Sequence, residues 1–152
     1  MILRPLLPTD LNIMVSAREF FSDGWTEDML RSAFRAGNFY GFIAADTVFT
    51  DGDGAKEKVL GFITFSVAGD TADLQDLFVF PEERKKGAGK RLLAEFIADA
   101  RLRGVNKLFL EVRESNSSAI QLYLSAGFYR LSVRKKYYDD GENALVLIKE
   151  LN

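Results

Sequence analysis

The spacing of apolar and polar positions changes several times along the chain, and each change predicts an element. Ile2 to Leu6 is a short apolar run that predicts a first strand. Pro8-Thr9-Asp10 then has the composition of a helix start, followed by Leu11, Met14 and Val15 at helical spacing. Thr26 is placed to cap a second helix, with Glu27 and Asp28 in the first turn, where the helix dipole favours acids. Trp25 before the cap and Leu30 one turn on are positioned as a hydrophobic staple.

From Phe39 the period shortens. Phe39–Ala45 and Lys58–Val67 predict two strands rich in aromatic and branched residues, joined by a long turn-forming loop. That loop fails as a calcium site because Ala55 holds the third ligand position. Asp73–Phe80 predicts a strand closed by Pro81, which cannot donate to a ladder. A helix begins near Ala88, with Leu92, Leu93, Phe96, Ile97 and Ala100 on one face and Gly104 at its end. Lys107–Val112 predicts a strand, and Ser117–Ser125 a short helix capped by Asn116 and stopped by Gly127. Phe128–Tyr137 and Ala144–Leu151 predict two strands around the turn Asp139-Asp140-Gly141. The pattern shows no internal repeat or linker and suits a mixed α/β domain spanning residues 1–152.

Composition narrows the chemistry. The chain has 152 residues, 47% hydrophobic and 28% charged, which is ordinary for a globular protein. A net charge of -2 argues against bulk electrostatic binding of nucleic acid. With no cysteine and no histidine, thiolate chemistry and the commonest base and metal ligand are removed, and no metal is expected. Acid–base work falls to carboxylate, tyrosine, lysine, hydroxyl or backbone groups. The N-terminus lacks a signal-peptide pattern and no apolar run approaches membrane-spanning length, so a cytoplasmic protein without membrane contact is expected.

Basic residues nonetheless cluster at one point. Arg84-Lys85-Lys86-Gly87-Ala88-Gly89, followed by Lys90 and Arg91, lies between a predicted strand and a predicted helix. Free backbone N–H groups and the helix dipole at such a junction favour a phosphate or pyrophosphate, and the glycines let the main chain approach it. A Walker A loop is excluded because Gly89-Lys90 is followed by Arg91 and no glycine stands at position 84. The dinucleotide fingerprint is excluded by Leu92 at its last position. On spacing alone the turn suits either a phosphate site or a solvated basic helix start.

At these residues the sequence resembles the GNAT superfamily of N-acetyltransferases, whose signature Gln/Arg-x-x-Gly-x-Gly/Ala reads here Arg84-x-x-Gly87-x-Gly89. The run from Leu110 through Glu111, Asn116 and Tyr123 to Gly127-Phe128 is similar to the second half of that family. More narrowly, Gly24-Trp25-Thr26-Glu27 and the paired tyrosines of Arg134-Lys135-Lys136-Tyr137-Tyr138 resemble the RimI-like ribosomal-protein-alanine N-acetyltransferases. The resemblance implies a mostly antiparallel twisted sheet of about seven strands with about four helices, and acetyl-CoA as donor. It further implies that Leu77, Phe78 and Val79 hold the pantetheine arm, Arg84 through Lys90 the pyrophosphate and Asn116 the cofactor's arm. Glu111 would be the general base and Tyr123 the general acid, with Tyr137 and Tyr138 candidates for acceptor binding. Read as residues alone, Glu111 also suits a solvent-facing strand position, Tyr123 a core edge and Asn116 a plain cap. As strand residues, Tyr137 and Tyr138 would face opposite sides.

The expected acceptor is a protein N-terminal α-amine, plausibly an alanine-starting ribosomal protein, on a monomer or weak dimer. A lysine side chain or small-molecule amine is the alternative acceptor, and a non-catalytic acyl-CoA-binding domain the alternative class. The loop from Asp46 to Glu57 is longer than in RimI-like proteins and is expected to reshape a wall of the acceptor cleft.

Overall fold

A computed structural model of the protein describes residues 1–20 and 23–152. Its strands are β1 (Ile2–Pro5), β2 (Phe39–Thr50), β3 (Gly54–Ala68), β4 (Thr71–Val79), β5 (Lys107–Arg113), β6 (Tyr129–Arg134) and β7 (Ala144–Glu150). Its α-helices are α1 (Leu11–Ser16), α2 (Glu27–Ala36), α3 (Ala88–Leu102) and α4 (Ser117–Ser125). The strands form one sheet in the order β1-β2-β3-β4-β5-β7-β6, and only β4 and β5 run parallel. The chain is thus a mixed α/β fold with the element order that the sequence pattern predicts.

The sheet has a core on each face, and the sequence period assigns residues to them. On one face, α3 packs Leu92, Leu93, Phe96 and Ala100 against Phe65, Leu108, Leu110 and Leu147. On the other, Met14 and Ala17 from the α1 region and Leu30 of α2 pack against Ile43, Phe62 and Phe78. β3 serves both cores, so Leu60 through Phe65 are buried without a break. Along β5, Leu108, Leu110 and Val112 enter the first core, while Phe109, Glu111 and Arg113 point to the face of α1 and α2. Both predicted caps form: Thr26 Oγ1 accepts from Met29 N–H at 3.2 Å, and Asn116 Oδ1 accepts from Ala119 N–H at 3.3 Å.

Two sequence expectations are corrected. Residues 46–57 are not a long loop: Asp46–Thr50 pairs with Gly54–Lys58, and only three residues turn between β2 and β3. This arm is largely exposed, so its ladder carries few apolar residues and has the look of a loop. It is tied back by Arg4 to Glu57 at 2.8 Å, by the N-terminal amine to Asp46 at 3.0 Å, and by Lys58 to Glu83. The second correction concerns the strand expected to reach Tyr137, which ends at Arg134. Lys136 turns the chain at φ 51, and its N–H donates to the Asn143 side chain at 2.9 Å. Tyr137 and Tyr138 therefore sit in the β6–β7 connection and do not alternate as strand residues.

Candidate active site

The site is opened by a failure of strand pairing. β4 and β5 pair only from Thr71–Asp73 against Lys107–Phe109, and beyond that point the strands separate. A bulge in β4 at Gln75, where the register to β3 jumps from Leu74 to Asp76, marks the start of the divergence. The result is a cleft of about 1790 Å³ with α4 along one side and the basic turn at one end. Leu77, Phe78 and Val79 line it, with Leu77 and Val79 on the edge that β5 leaves unpaired. Gly61 lets β3 lie against the end of this strand, because a Cβ there would stand 2.4 Å from the Phe78 carbonyl oxygen.

At the basic end, Lys85 at φ 63 and Gly87 at φ 89 turn the chain into α3. From Lys85 to Lys90 no backbone N–H has an acceptor among the described residues, and the first such bond is Arg91 N–H to the Gly87 carbonyl at 3.1 Å. A row of unsatisfied donors at a helix start is the arrangement that an anion satisfies. The two glycines stand in different surroundings. A Cβ on Gly87 would meet nothing within 4 Å, so its left-handed φ is what requires glycine. A Cβ on Gly89 would make ordinary contacts with Leu122 at 3.6 Å and Val79 at 3.7 Å. Arg84 turns back, its Nε donating to the Val79 carbonyl at 2.9 Å. Lys86 pairs with Glu83 at 3.2 Å and is not part of the lining, whereas Arg84, Lys85, Gly87, Ala88, Gly89 and Lys90 are. Asn116 lines the cleft while capping α4, so its cap role is compatible with a place in the cleft.

The opposite end carries carboxylates and phenols. Glu111 is partly buried, pairs with Arg134 Nε at 3.0 Å and accepts a hydrogen bond from Tyr137, which pushes that phenol above its ordinary value. Tyr123 is only 5% exposed, with its ring edge-on to Phe128, and lines the cleft from α4. Burial, then the nearby Asp76 charge, hold its hydroxyl well above the ordinary phenol value, so it stays protonated. Tyr138 is likewise pushed up to about 12, by burial and then by Asp23. Tyr137 and Tyr138 both line the cleft, with rings 5.1 Å apart and edge to face. None of residues 46–57 lines it, which removes the expectation that this segment walls the acceptor side.

Several residues at this end carry weight that the sequence reading did not give them. Arg113 holds Asp23 through two bonds of 2.7 and 3.0 Å, Asp140 at 2.8 Å and Glu142 at 2.9 Å, and stacks 4.0 Å from the Tyr138 ring. It fastens β5 to the segment before α2 and to the β6–β7 connection. Period two places it on the face of Glu111, a signal that was readable in the sequence. Asp76, between Gln75 and Leu77 on β4, is the other such residue.

Residues 11–128 match the acetyltransferase (GNAT) family. The chain belongs to that family. It is 39% identical over 93 residues to the [ribosomal protein bS18]-alanine N-acetyltransferase of Escherichia coli (strain K12), covering 59% of this chain and 63% of that protein. Its match to the protein of the same name from Haemophilus influenzae is 37% over 96 residues, 60% of this chain and 65% of that one. The matched region thus spans a little under two thirds of these curated relatives. The crystal structure of the ribosomal-protein-S18-alanine N-acetyltransferase from Escherichia coli superposes with a TM-score of 0.82 at 30% identity, covering 99% of this chain and 94% of that one. Arabidopsis thaliana NAA60 in complex with acetyl-CoA superposes at 0.84 over 99% of this chain and 98% of that one. At 20% identity, this last likeness shows the fold alone.

Proposed function

We propose that residues 1–152 form one acetyltransferase domain that moves the acetyl group of acetyl-CoA to the α-amine of a protein N-terminus, with a ribosomal protein beginning in alanine as the acceptor. The observation that carries this reading is the two-ended cleft. Its basic end offers unpaired N–H groups and lysines to a pyrophosphate, and its other end gathers carboxylates and phenols where an ammonium is drawn in. The RimI-like relatives support the choice of acceptor, and a cytoplasmic setting follows from it. Among the described residues no helix is long and apolar enough to cross a membrane.

Acetyl-CoA fits what this chain presents. The N–H groups of Lys85 to Lys90 and the Lys85 and Lys90 side chains take the pyrophosphate, and the open edge at Leu77 and Val79 takes the pantetheine arm. The donor supplies a thioester carbon open to attack. The attacking nitrogen must shed a proton as the C–N bond forms, which requires only a modest base, and Glu111 fills that role. Tyr123, kept protonated by burial, delivers a proton to the departing sulfur. Transfer is direct, since the chain has no cysteine or histidine to carry an acyl group.

The test is acetyl transfer from labelled acetyl-CoA to peptides that differ in their first residue, beside lysine peptides with blocked N-termini and polyamines. Preference for an alanine-starting peptide is expected. Transfer to lysine or polyamine alone would sink the acceptor assignment, and tight CoA binding without turnover on any amine would sink the activity.

A further inference from the structure

We propose that Asp76 is a second working carboxylate of this centre, the group that receives the proton which the acceptor's ammonium must lose before it can attack. This rests on reading the cleft as an N-acetyltransferase site.

The geometry comes first. The bulge at Gln75 resets the strand, so Asp76 shares a face with Phe78, the face of α1 and α2 toward which Glu111 also points. Asp76 lines the cleft beside Leu77 and is partly buried. No hydrogen bond or ion pair reaches its carboxylate from the described residues. Glu111, Asp23, Asp140 and Glu83 in the same lining all have cationic partners, while Asp73 and Asp139 are exposed to solvent. Directly across the ladder stands Thr64, 0% exposed, whose hydroxyl also lacks a partner. A partly buried carboxylate beside a buried, unpaired hydroxyl is costly, and nothing among the described residues offsets that cost. Such sites concentrate where a substrate completes them.

The surroundings suit proton acceptance. Asp23 acts on Asp76 from the segment before α2 and Tyr123 from α4; Glu111 and Arg113 of β5, Arg134 of β6 and Tyr137, Tyr138 and Asp140 of the β6–β7 connection share the lining, with Asp73 on β4 itself. Burial, followed by repulsion from Asp23, pushes Asp76 up to about 7. That lies about one unit below an α-amine, close to the match that makes proton transfer efficient near neutral pH. Glu111, held by Arg134 and Tyr137, is less free to receive the first proton.

Two protons must leave the nitrogen, and two carboxylates stand ready. The first passes from the ammonium to Asp76. The nitrogen lone pair then forms the C–N bond at the acetyl carbon, Glu111 takes the second proton, and the C–S bond breaks. Its electron pair stays on sulfur, which is protonated by Tyr123. Tyr123 is restored from one carboxylic acid, and the other releases its proton to solvent. The net change is one acetyl group moved and one proton released.

The test is the pH dependence of kcat/KM for Asp76→Asn against the parent, with acetyl-CoA affinity measured alongside. The expected loss is about 10²-fold near pH 7, with donor affinity unchanged. It narrows above about pH 9, where the amine arrives already neutral. Asp76→Glu is expected to recover part of the activity near pH 7. A loss that is the same at every pH, or no loss, overturns the proposal. Carbon-13 NMR of the Asp76 carboxyl gives a readout independent of turnover. A peptide with a free N-terminus should shift this signal and its N-acetylated form should not, and equal effects of the two would overturn the assignment. A parent inert toward every amine would sink the acetyltransferase reading instead, leaving the NMR comparison to decide the fate of Asp76.

Discussion

Replacing Gly87 with valine isolates the backbone's part in donor binding. Gly87 stands at φ 89 as the N-cap of α3, and a Cβ there would touch nothing within 4 Å. The Cβ itself meets no crowding, and the cost in the free protein comes from forcing a β-branched residue into the left-handed region, about 1–2 kcal/mol or somewhat more. The chain can respond in two ways. If the turn is held, the protein loses that stability, and at this length about 2–4 °C of Tm accompanies each kcal/mol. If the turn relaxes, the N–H groups of Lys85 to Lys90 lose their common aim and CoA affinity falls about tenfold for each 1.4 kcal/mol. Calorimetric titration with CoA and thermal unfolding, run on the same samples, divide the cost between the two. Gly87→Asn, which tolerates the left-handed region, should recover much of it. Gly89→Ala adds a methyl with ordinary contacts in a helical first turn and should bind CoA with nearly parental affinity. Parental Tm together with parental CoA affinity in Gly87→Val would refute the reasoning.

Glu111→Gln should lower kcat by roughly 10²-fold while acetyl-CoA affinity stays nearly intact; equal activity of mutant and parent across a pH series would remove Glu111 from the mechanism. Arg113→Ala frees Asp23, Asp140, Glu142 and Tyr138 together and should cost up to roughly 10²-fold in kcat/KM for the acceptor through misplacement, with CoA affinity unchanged in titration. Asp10, 5% exposed, would be raised by burial, but Arg4 and the Leu7 N–H bring it below its ordinary value. The stability it contributes is therefore present above the ordinary carboxylate range and lost as pH falls through its lowered value. Arg4→Ala should cost about 1–3 kcal/mol in urea unfolding at neutral pH and clearly less in acid, and a penalty independent of pH would contradict this linkage.

The elements were readable where local chemistry decides them. The caps at Thr26 and Asn116, the stripe of Leu92, Leu93 and Phe96, and the alternation along β5 are each set within a few residues. The arm over 46–58 was not readable, because both its faces meet solvent and a ladder there needs no apolar residues. The end of β6 was hidden for a different reason. It is fixed by the Asn143 side chain reaching the Lys136 N–H from the residue just before β7, a contact that no periodicity registers.

The same division runs through the cleft. Its basic end is a continuous stretch of chain, strand into turn into helix, so Arg84 to Lys90 could be singled out as a candidate anion site before any fold was known. Its acceptor end is assembled from distant parts. Asp23 and Arg113 are 90 residues apart, Arg113 and Glu142 are 29 apart, and Asp76 acquires its character from burial that only the folded sheet creates. On the proposed activity, substitutions around Arg113 would alter the acceptor while the basic turn stays unchanged, because the two ends are joined through β4 and α4. The acceptor is therefore to be sought in variants of Arg113, Asp23, Tyr138 and Asp76, where a change in preference among peptides can appear with no change in affinity for CoA.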